Sequence, residues 1–263
     1  MLFIFDMDGV IWRGTEAVPH AAQAVAALRD SGHTVRFLTN NAARRRADYI
    51  PRMASVGITA SVEEVVTSAV AVGLYFQEQG WQGASVYVIG QSGVRDELTQ
   101  AARCRLVETD AEPADVVVVG IDWEFTYEMM RVAQQHIMNG AHFVCTNRDP
   151  TFPVEGGRFV PGAGSIVSAV EVASGCEPFN IGKPNPYSVQ LLSRLTGIPL
   201  SETVVIGDRL DTDIDCGIAA GVRTLLVMTG VTTQSEVDAL PPEKRPTWTL
   251  PNLACLPAGW IKS

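Results

Sequence analysis

What most limits the fold of this chain is an alternation that runs from end to end. Short, almost wholly apolar runs at 2–5, 34–38, 86–89, 115–119, 141–145, 203–206 and 224–228 read as strands buried on both faces. Between them, 21–30, 42–53, 65–79, 128–138, 166–173 and 187–196 carry helical spacing. Strands alternating with helices predict an α/β fold with a mainly parallel sheet, in which ligands bind beyond the carboxyl ends of the strands. At 263 residues the chain is one large domain or two modest ones. Segments 80–84 and 174–178 read as loops, and the piece between them holds its own strand–helix series. It is therefore read as a domain inserted into an outer domain built from both chain ends.

Composition removes several function classes. Hydrophobic residues make up 46% of the chain, which rules out global disorder. The net charge of −9 argues against a nucleic-acid backbone or an anionic membrane as the main partner. The five cysteines (Cys104, Cys145, Cys176, Cys216, Cys255) form no CxxC pair and read as reduced thiols serving as small core residues. Leu2–Phe5 has no basic region before it and stops at Asp6 and Asp8, so it is not a signal peptide. No stretch reaches the roughly 18 uncharged apolar residues of a membrane span. A cytoplasmic protein is expected.

Three strands run into polar residues of one theme. Leu2–Phe5 leads into Asp6-Met7-Asp8-Gly9, the strand at 34–38 into Thr39-Asn40-Asn41, and that at 203–206 into Gly207-Asp208-Arg209-Leu210-Asp211-Thr212-Asp213. Gly182-Lys183-Pro184-Asn185-Pro186 stands just ahead of a helix. Singly these mean little: an Asp-x-Asp after a strand is commonly a turn, and Thr39-Asn40-Asn41 would commonly cap the next helix. Together, if the strands adjoin, they gather carboxylates, a hydroxyl, amides and one lysine. Such a carboxylate cluster asks for a cation, and oxygen donors suit Mg²⁺. A carboxylate beside Mg²⁺ and a lysine is equipped to attack phosphorus, a reaction that needs mainly positioning and charge neutralisation.

The motifs FDMDGV, LTNN, GKPNP and GDRLDTDI, in that order, resemble those of the haloacid dehalogenase (HAD) superfamily of aspartate-dependent phosphohydrolases, with no departure at any of them. Their spelling, with GIDWEFTYEMM, CTNRDPTFP and VPGAGSIVSAV, is similar to the NagD-like, 4-nitrophenylphosphatase branch over almost the whole chain. The resemblance implies a Rossmann-like parallel-sheet core of residues 1–82 and 181–263 with an α/β cap inserted at 83–180. It implies Asp6 as nucleophile, and Asp8 as acid toward the leaving alcohol and then base for the hydrolytic water. Thr39, Asn40 and Lys183 would hold the phosphoryl group. Asp6, Asp208 and the backbone carbonyl of Asp8 would bind Mg²⁺, with Asp213 positioning its waters or Lys183. The residues alone do not choose between Asp6 and Asp8 as nucleophile; the family does.

Substrate choice is expected in the cap, where Asn147, Arg148 and Asp149 follow a strand and are candidates to touch substrate. Gly162-Ala163-Gly164-Ser165 either offers helix N-terminal amides to a ligand or merely caps the helix through Ser165. Arg44-Arg45-Arg46 reads as a solvated helix face, and the four histidines have no metal-ligand spacing. The expected activity is Mg²⁺-dependent hydrolysis of small phosphate monoesters of sugar, nucleotide, glycolate or pyridoxal type, with a small phosphorylated metabolite as partner. A homodimer stays open, the cap offering an extra surface. A phosphotransferase or phosphomutase would use the same intermediate. A non-catalytic phosphoryl-binding regulator is disfavoured, because it would need neither Asp8 nor a cap.

Overall fold

In the computed structural model, which describes residues 1–154, 158–257 and 259–261, the first apolar run forms strand β1 (Leu2–Phe5) with every side chain buried. A hairpin of β2 (Trp12–Arg13) and β3 (Glu16–Ala17) follows. Helix α1 (Ala21–Asp30) buries Ala21, Ala24, Val25 and Leu28, a single stripe at helical spacing. Then come β4 (Thr34–Thr39), α2 (Tyr49–Ser55) and β5 (Val65–Thr67).

The chain goes on through α3 (Ser68–Glu78), β6 (Ser85–Ile89), α4 (Ser92–Asp96), β7 (Arg105–Val107) and β8 (Val116–Val119). Next are α5 (Tyr127–Met138), β9 (His142–Cys145), the hairpin β10 (Thr151–Val154) and β11 (Arg158–Pro161), α6 (Ala163–Ser174) and β12 (Phe179–Asn180). It closes with α7 (Tyr187–Thr196), β13 (Thr203–Gly207), α8 (Asp215–Ala219), β14 (Arg223–Val227), α9 (Gln234–Asp238) and β15 (Trp248–Leu250).

Two units result. The first comprises Met1–Thr39, Ala47–Val66 and Lys183–Ser263, and the second Asn40–Arg46 and Thr67–Gly182. The first holds a sheet ordered β15-β14-β13-β1-β4-β5, parallel from β15 through β4. Phe3, Phe5, Trp12, Phe37 and Leu225 belong to its core. The second holds the parallel sheet β12-β9-β8-β6-β7, with α5 and α6 contributing Val132, Ile137, Val167 and Val170 to its core.

The helix expected over 65–79 gives up its first turn: Val65-Val66-Thr67 are β-branched and take the edge of the sheet as β5. Thr67 then caps α3, its Oγ1 accepting the Val70 amide at 3.2 Å. The helix expected over 42–53 starts only at Tyr49, because Asn41 Oδ1 accepts the Ala43 amide at 2.9 Å and holds that stretch in a turn. Arg44 and Arg45 are exposed as expected but lie ahead of the helix, and Arg45 and Arg46 pair with Asp96 and Glu97. All five cysteines are free; Cys104, Cys145 and Cys216 are buried as expected, whereas Cys176 and Cys255 are exposed. Among the described residues no helix is long and apolar enough to cross a membrane.

Candidate active site

Parallel registry decides where the strand-end residues emerge. Leu2 pairs with both Thr203 and Thr34, and Phe5 with both Ile206 and Phe37, so β1, β13 and β4 finish side by side. Strand order reverses at β1, the place where open α/β sheets hold ligands. Asp6 follows β1 directly, its amide donating to the Ile206 carbonyl at 2.8 Å. Asp208 follows β13, and Thr39 is the buried last residue of β4.

Lys183, from the turn before α7, joins them. It is 3% exposed and donates from Nζ to Asp6 Oδ1 at 2.5 Å and to Asp213 Oδ1 at 2.6 Å. Asp213 lies in a π-helical turn, Leu210–Ile214, and its Oδ2 accepts the backbone amides of Asp208 at 3.2 Å and Arg209 at 3.1 Å. Both Asp213 oxygens are thus committed to protein donors. Asp208 is different: Oδ2 accepts the Val231 amide at 3.0 Å, while Oδ1 is buried without a hydrogen-bond partner. Gly9 and Gly230 make room for this carboxylate, since a Cβ on either would stand 2.4 or 1.7 Å from Asp208 Oδ2.

The electrostatics are those of buried carboxylates crowded around one lysine. Burial pushes the Asp6 carboxyl well above the usual range; Lys183 opposes this, while Asp213, Asp208 and Asp8 add to it. Burial, with Asp213 beside it, pushes Asp208 up to about 7. Burial also works against the Lys183 ammonium, yet Asp213 and Asp6 hold its pKa above the ordinary lysine value. One carboxylate oxygen each from Asp6, Asp208 and Asp213 lies within 4.8 Å of the others. An all-oxygen donor set with an orphaned buried oxygen fits a hard divalent ion. Asp6 and Asp208 are the side chains that would hold it, because both Asp213 oxygens are taken up by Lys183 and two amides.

The fit has a consequence for stability. An acid whose pKa is raised on folding keeps its proton in the native state after the unfolded chain has lost it, so stability falls as pH rises. For Asp208 that window runs from the ordinary carboxyl value of 3.8 to about 7. Melting in chelator is therefore expected to weaken from pH 4 to 7. Saturating Mg²⁺ should raise the melting temperature by several degrees at pH 7.5, an effect on the order of 2–3 kcal/mol at about 100-fold excess over Kd, and by clearly less at pH 5. Equal Mg²⁺ shifts at both pH values, read by differential scanning fluorimetry, would contradict this.

Asp8 sits apart from the buried group. Its side chain is 47% exposed, and its Oδ1 accepts the Trp12 indole N–H at 2.9 Å. Asn40, the residue after Thr39, packs within the second unit. Its carbonyl accepts Ser68 Oγ at 2.5 Å and Asn147 Nδ2 at 2.8 Å, and its Nδ2 donates to Asp149 Oδ1 and Oδ2 at 3.0 and 3.2 Å. Asn147 and Asp149 are thus brought onto Asn40, whereas Arg148 pairs with Glu171 at 2.5 Å and Glu177 at 3.8 Å. The amides of Gly162 and Gly164 go to the carbonyls of Pro150 and Asp149, and Ser165 Oγ donates to the Pro150 carbonyl rather than capping α6. Those amides anchor a loop and are not offered to a ligand. Sequence reasoning did not find Trp12, Val231, Gly230 or Ser68. The spacing of Trp12 four residues beyond Asp8 was the one available signal, and the others have none outside the tertiary structure.

Known proteins are similar to this chain over most of its length. A family described as "Haloacid dehalogenase-like hydrolase" matches residues 3–103, and one described as "HAD-hyrolase-like" matches 180–256. An acid sugar phosphatase of Staphylococcus saprophyticus is 37% identical over 242 residues, covering 91% of this chain and 92% of that one. The chain is a haloacid dehalogenase-like hydrolase. The hydrolase is also 39% identical over 235 residues to the 5'-nucleotidase YutF of Bacillus subtilis, covering 89% of this chain and 90% of that protein. The crystal structure of glycerol phosphate phosphatase Rv1692 from Mycobacterium tuberculosis in complex with magnesium superposes with a TM-score of 0.88 at 32% identity. That likeness spans 96% of this hydrolase and 75% of that chain. The HAD hydrolase is a phosphatase of the NagD-like branch, with a Rossmann-like parallel-sheet core and an α/β cap.

Proposed function

We propose that this phosphatase hydrolyses small phosphate monoesters with Mg²⁺, through an aspartyl-phosphate formed on Asp6. The observation that carries the reading is Lys183 held between Asp6 and Asp213, beside a buried Asp208 oxygen with no partner. An ion held by Asp6, Asp208 and the Asp8 carbonyl would neutralise charge on the carboxylates and the phosphoryl oxygens. Lys183 and Thr39, with Asn40 next in the chain, would hold those oxygens. Asp213, bonded to Lys183 and to two amides, keeps the lysine aimed.

The Asp6 carboxylate attacks phosphorus as the phosphorus–leaving-oxygen bond breaks, and Asp8 gives its proton to the departing oxygen. Water then attacks the phosphoryl group, Asp8 takes a proton from it, and Asp6 is released with inorganic phosphate. The core is taken as 1–82 and 181–263 and the cap as 83–180, with Asn147, Arg148 and Asp149 as candidates for substrate selection. Relatives named for sugar phosphates, nucleotides and glycerol phosphate support a small phosphorylated metabolite as substrate. A cytoplasmic location is part of the same proposal.

The test is turnover of 4-nitrophenyl phosphate after dialysis against chelator. Activity should fall by at least about 100-fold and return on adding Mg²⁺. Full activity in excess chelator would overturn the metal assignment. A panel of sugar phosphates, nucleotides, phosphoglycolate and pyridoxal phosphate then ranks the substrates by kcat/KM.

A further inference from the structure

We infer that Trp12, clamped by α2, is the residue that positions the Asp8 carboxyl for proton transfer to the leaving oxygen; this rests on the reading of Asp8 as the acid. Trp12 is fully buried, and its one polar atom donates to Asp8 Oδ1 at 2.9 Å. A buried indole N–H needs an acceptor, and a backbone carbonyl would serve packing equally well. Here the acceptor is a half-exposed carboxylate two residues beyond Asp6.

The backbone joins the same two residues, because Asp8 bridges to Trp12 and the Gly9 amide donates to the Trp12 carbonyl at 2.7 Å. Helix α2 then fixes the indole plane. Tyr49 lies nearly parallel to it, at 14° and 6.4 Å between ring centroids. Arg52, three residues on and so on the same helix face, places its guanidinium 4.0 Å from the indole centroid. The same Arg52 donates to the Gly14 carbonyl at 2.5 Å, tying down the β2–β3 turn, and stands 4.0 Å from Asp8 Oδ1.

The direction of the N–H is thus set by the Tyr49 ring, the Arg52 guanidinium and the backbone bridge, and with it the rotamer of Asp8. It also selects an oxygen. Oδ1 accepts the indole N–H and faces the guanidinium, so the proton that passes to the leaving group is carried on Oδ2. When the phosphorus–oxygen bond breaks, its electron pair stays on the leaving oxygen, that oxygen takes the Oδ2 proton, and Asp8 is left as a carboxylate. A loosened Asp8 would still sit near the bond but would meet it less often in line, and proton transfer is sensitive to such placement.

The experiment compares two aryl esters of similar size, 4-nitrophenyl phosphate and phenyl phosphate. Nitrophenolate leaves readily without a proton, whereas phenolate needs one. kcat/KM reports the steps through leaving-group departure, so its ratio between the two esters reads the acid and not the later hydrolysis of the phosphoenzyme. Removing a general acid is worth about 10²–10⁴-fold, so in Asp8→Asn the ratio should rise at least about tenfold. In Trp12→Phe, which keeps a ring and loses the donor, a rise of at least about fivefold is expected, part of the same effect.

A normal ratio in Trp12→Phe, together with a raised one in Asp8→Asn, would overturn the positioning role and leave the Asp8 acid standing. A normal ratio in Asp8→Asn would overturn the acid assignment itself. Should Trp12→Phe fail to fold by circular dichroism, Arg52→Gln decides. It keeps the indole and removes the guanidinium half of the clamp, and a rise of about threefold supports the inference while an unchanged ratio overturns it.

Discussion

Asp6→Asn is expected to lower kcat for 4-nitrophenyl phosphate on the order of 10⁴-fold or more, while the protein stays folded. The amide has nearly the shape of the carboxylate but does not attack phosphorus. Stability should not suffer, because burial raises the Asp6 carboxyl, with Asp213, Asp208 and Asp8 adding to this against Lys183, and a neutral group removes both the desolvation cost and the repulsion. Lys183 keeps its second partner, Asp213, at 2.6 Å. Melting in chelator should match the wild type or exceed it. Incubation with 4-nitrophenyl phosphate followed by acid quench should leave phosphate on the wild-type chain and none on the variant. Retention of more than about a tenth of wild-type kcat would place the nucleophile elsewhere.

Lys183→Met carries the second large effect, and it should show in both stability and rate. The ammonium is buried between Asp6 and Asp213, with side-chain exposures of 4%, 12% and 1% for the three groups. Removing one partner of a buried ionic group leaves the remaining charges uncompensated, which costs about 3–5 kcal/mol. The wild-type contribution of Lys183 comes from a raised lysine pKa, so it is present throughout the neutral range and lost only at strongly alkaline pH. In the variant the Asp6 carboxyl, already raised by burial, loses the lysine that opposes the rise, so stability lost near neutrality should return as pH falls toward 5. Urea melts in chelator at pH 5 and 7.5 would show this, and an equal loss at both values would argue against it. The rate should fall by about 10²–10³-fold, typical of losing one fixed electrostatic donor to a developing charge.

Both predictions rest on residues that the chain itself makes visible. Asp6, Asp208 and Lys183 stand in short motifs at the ends of apolar runs, and the rule that ligands meet the carboxyl ends of strands was enough to group them. Helix α1 was legible to the residue, because an alanine-rich stripe needs no long-range partner to declare its period. β5 was not, since Val65-Val66-Thr67 continues an apolar helical pattern and only pairing at the sheet edge turns it into a strand. The late start of α2 was hidden for a similar reason: a single Asn41 side chain, bonded to the Ala43 amide, overrides helical spacing over several residues.

The side chains around the site divide in the same way. Gly230 and Val231 lie 22 and 23 residues beyond Asp208, and nothing local marks them as the space and the amide that Asp208 Oδ2 uses. Asn147 and Asp149 were picked out for following a strand, yet their bonds to Asn40 span 107 and 109 residues. What the chain by itself determined was the list of chemical groups and the strand ends that carry them, because periodicity and motif order are local properties. Which oxygen is already satisfied, and which is left for a cation, is set by donors that arrive from distant segments. Only the folded arrangement decided that Asp213 is spent on Lys183 and two amides, that Asp208 Oδ1 has no partner, and that an indole holds Asp8.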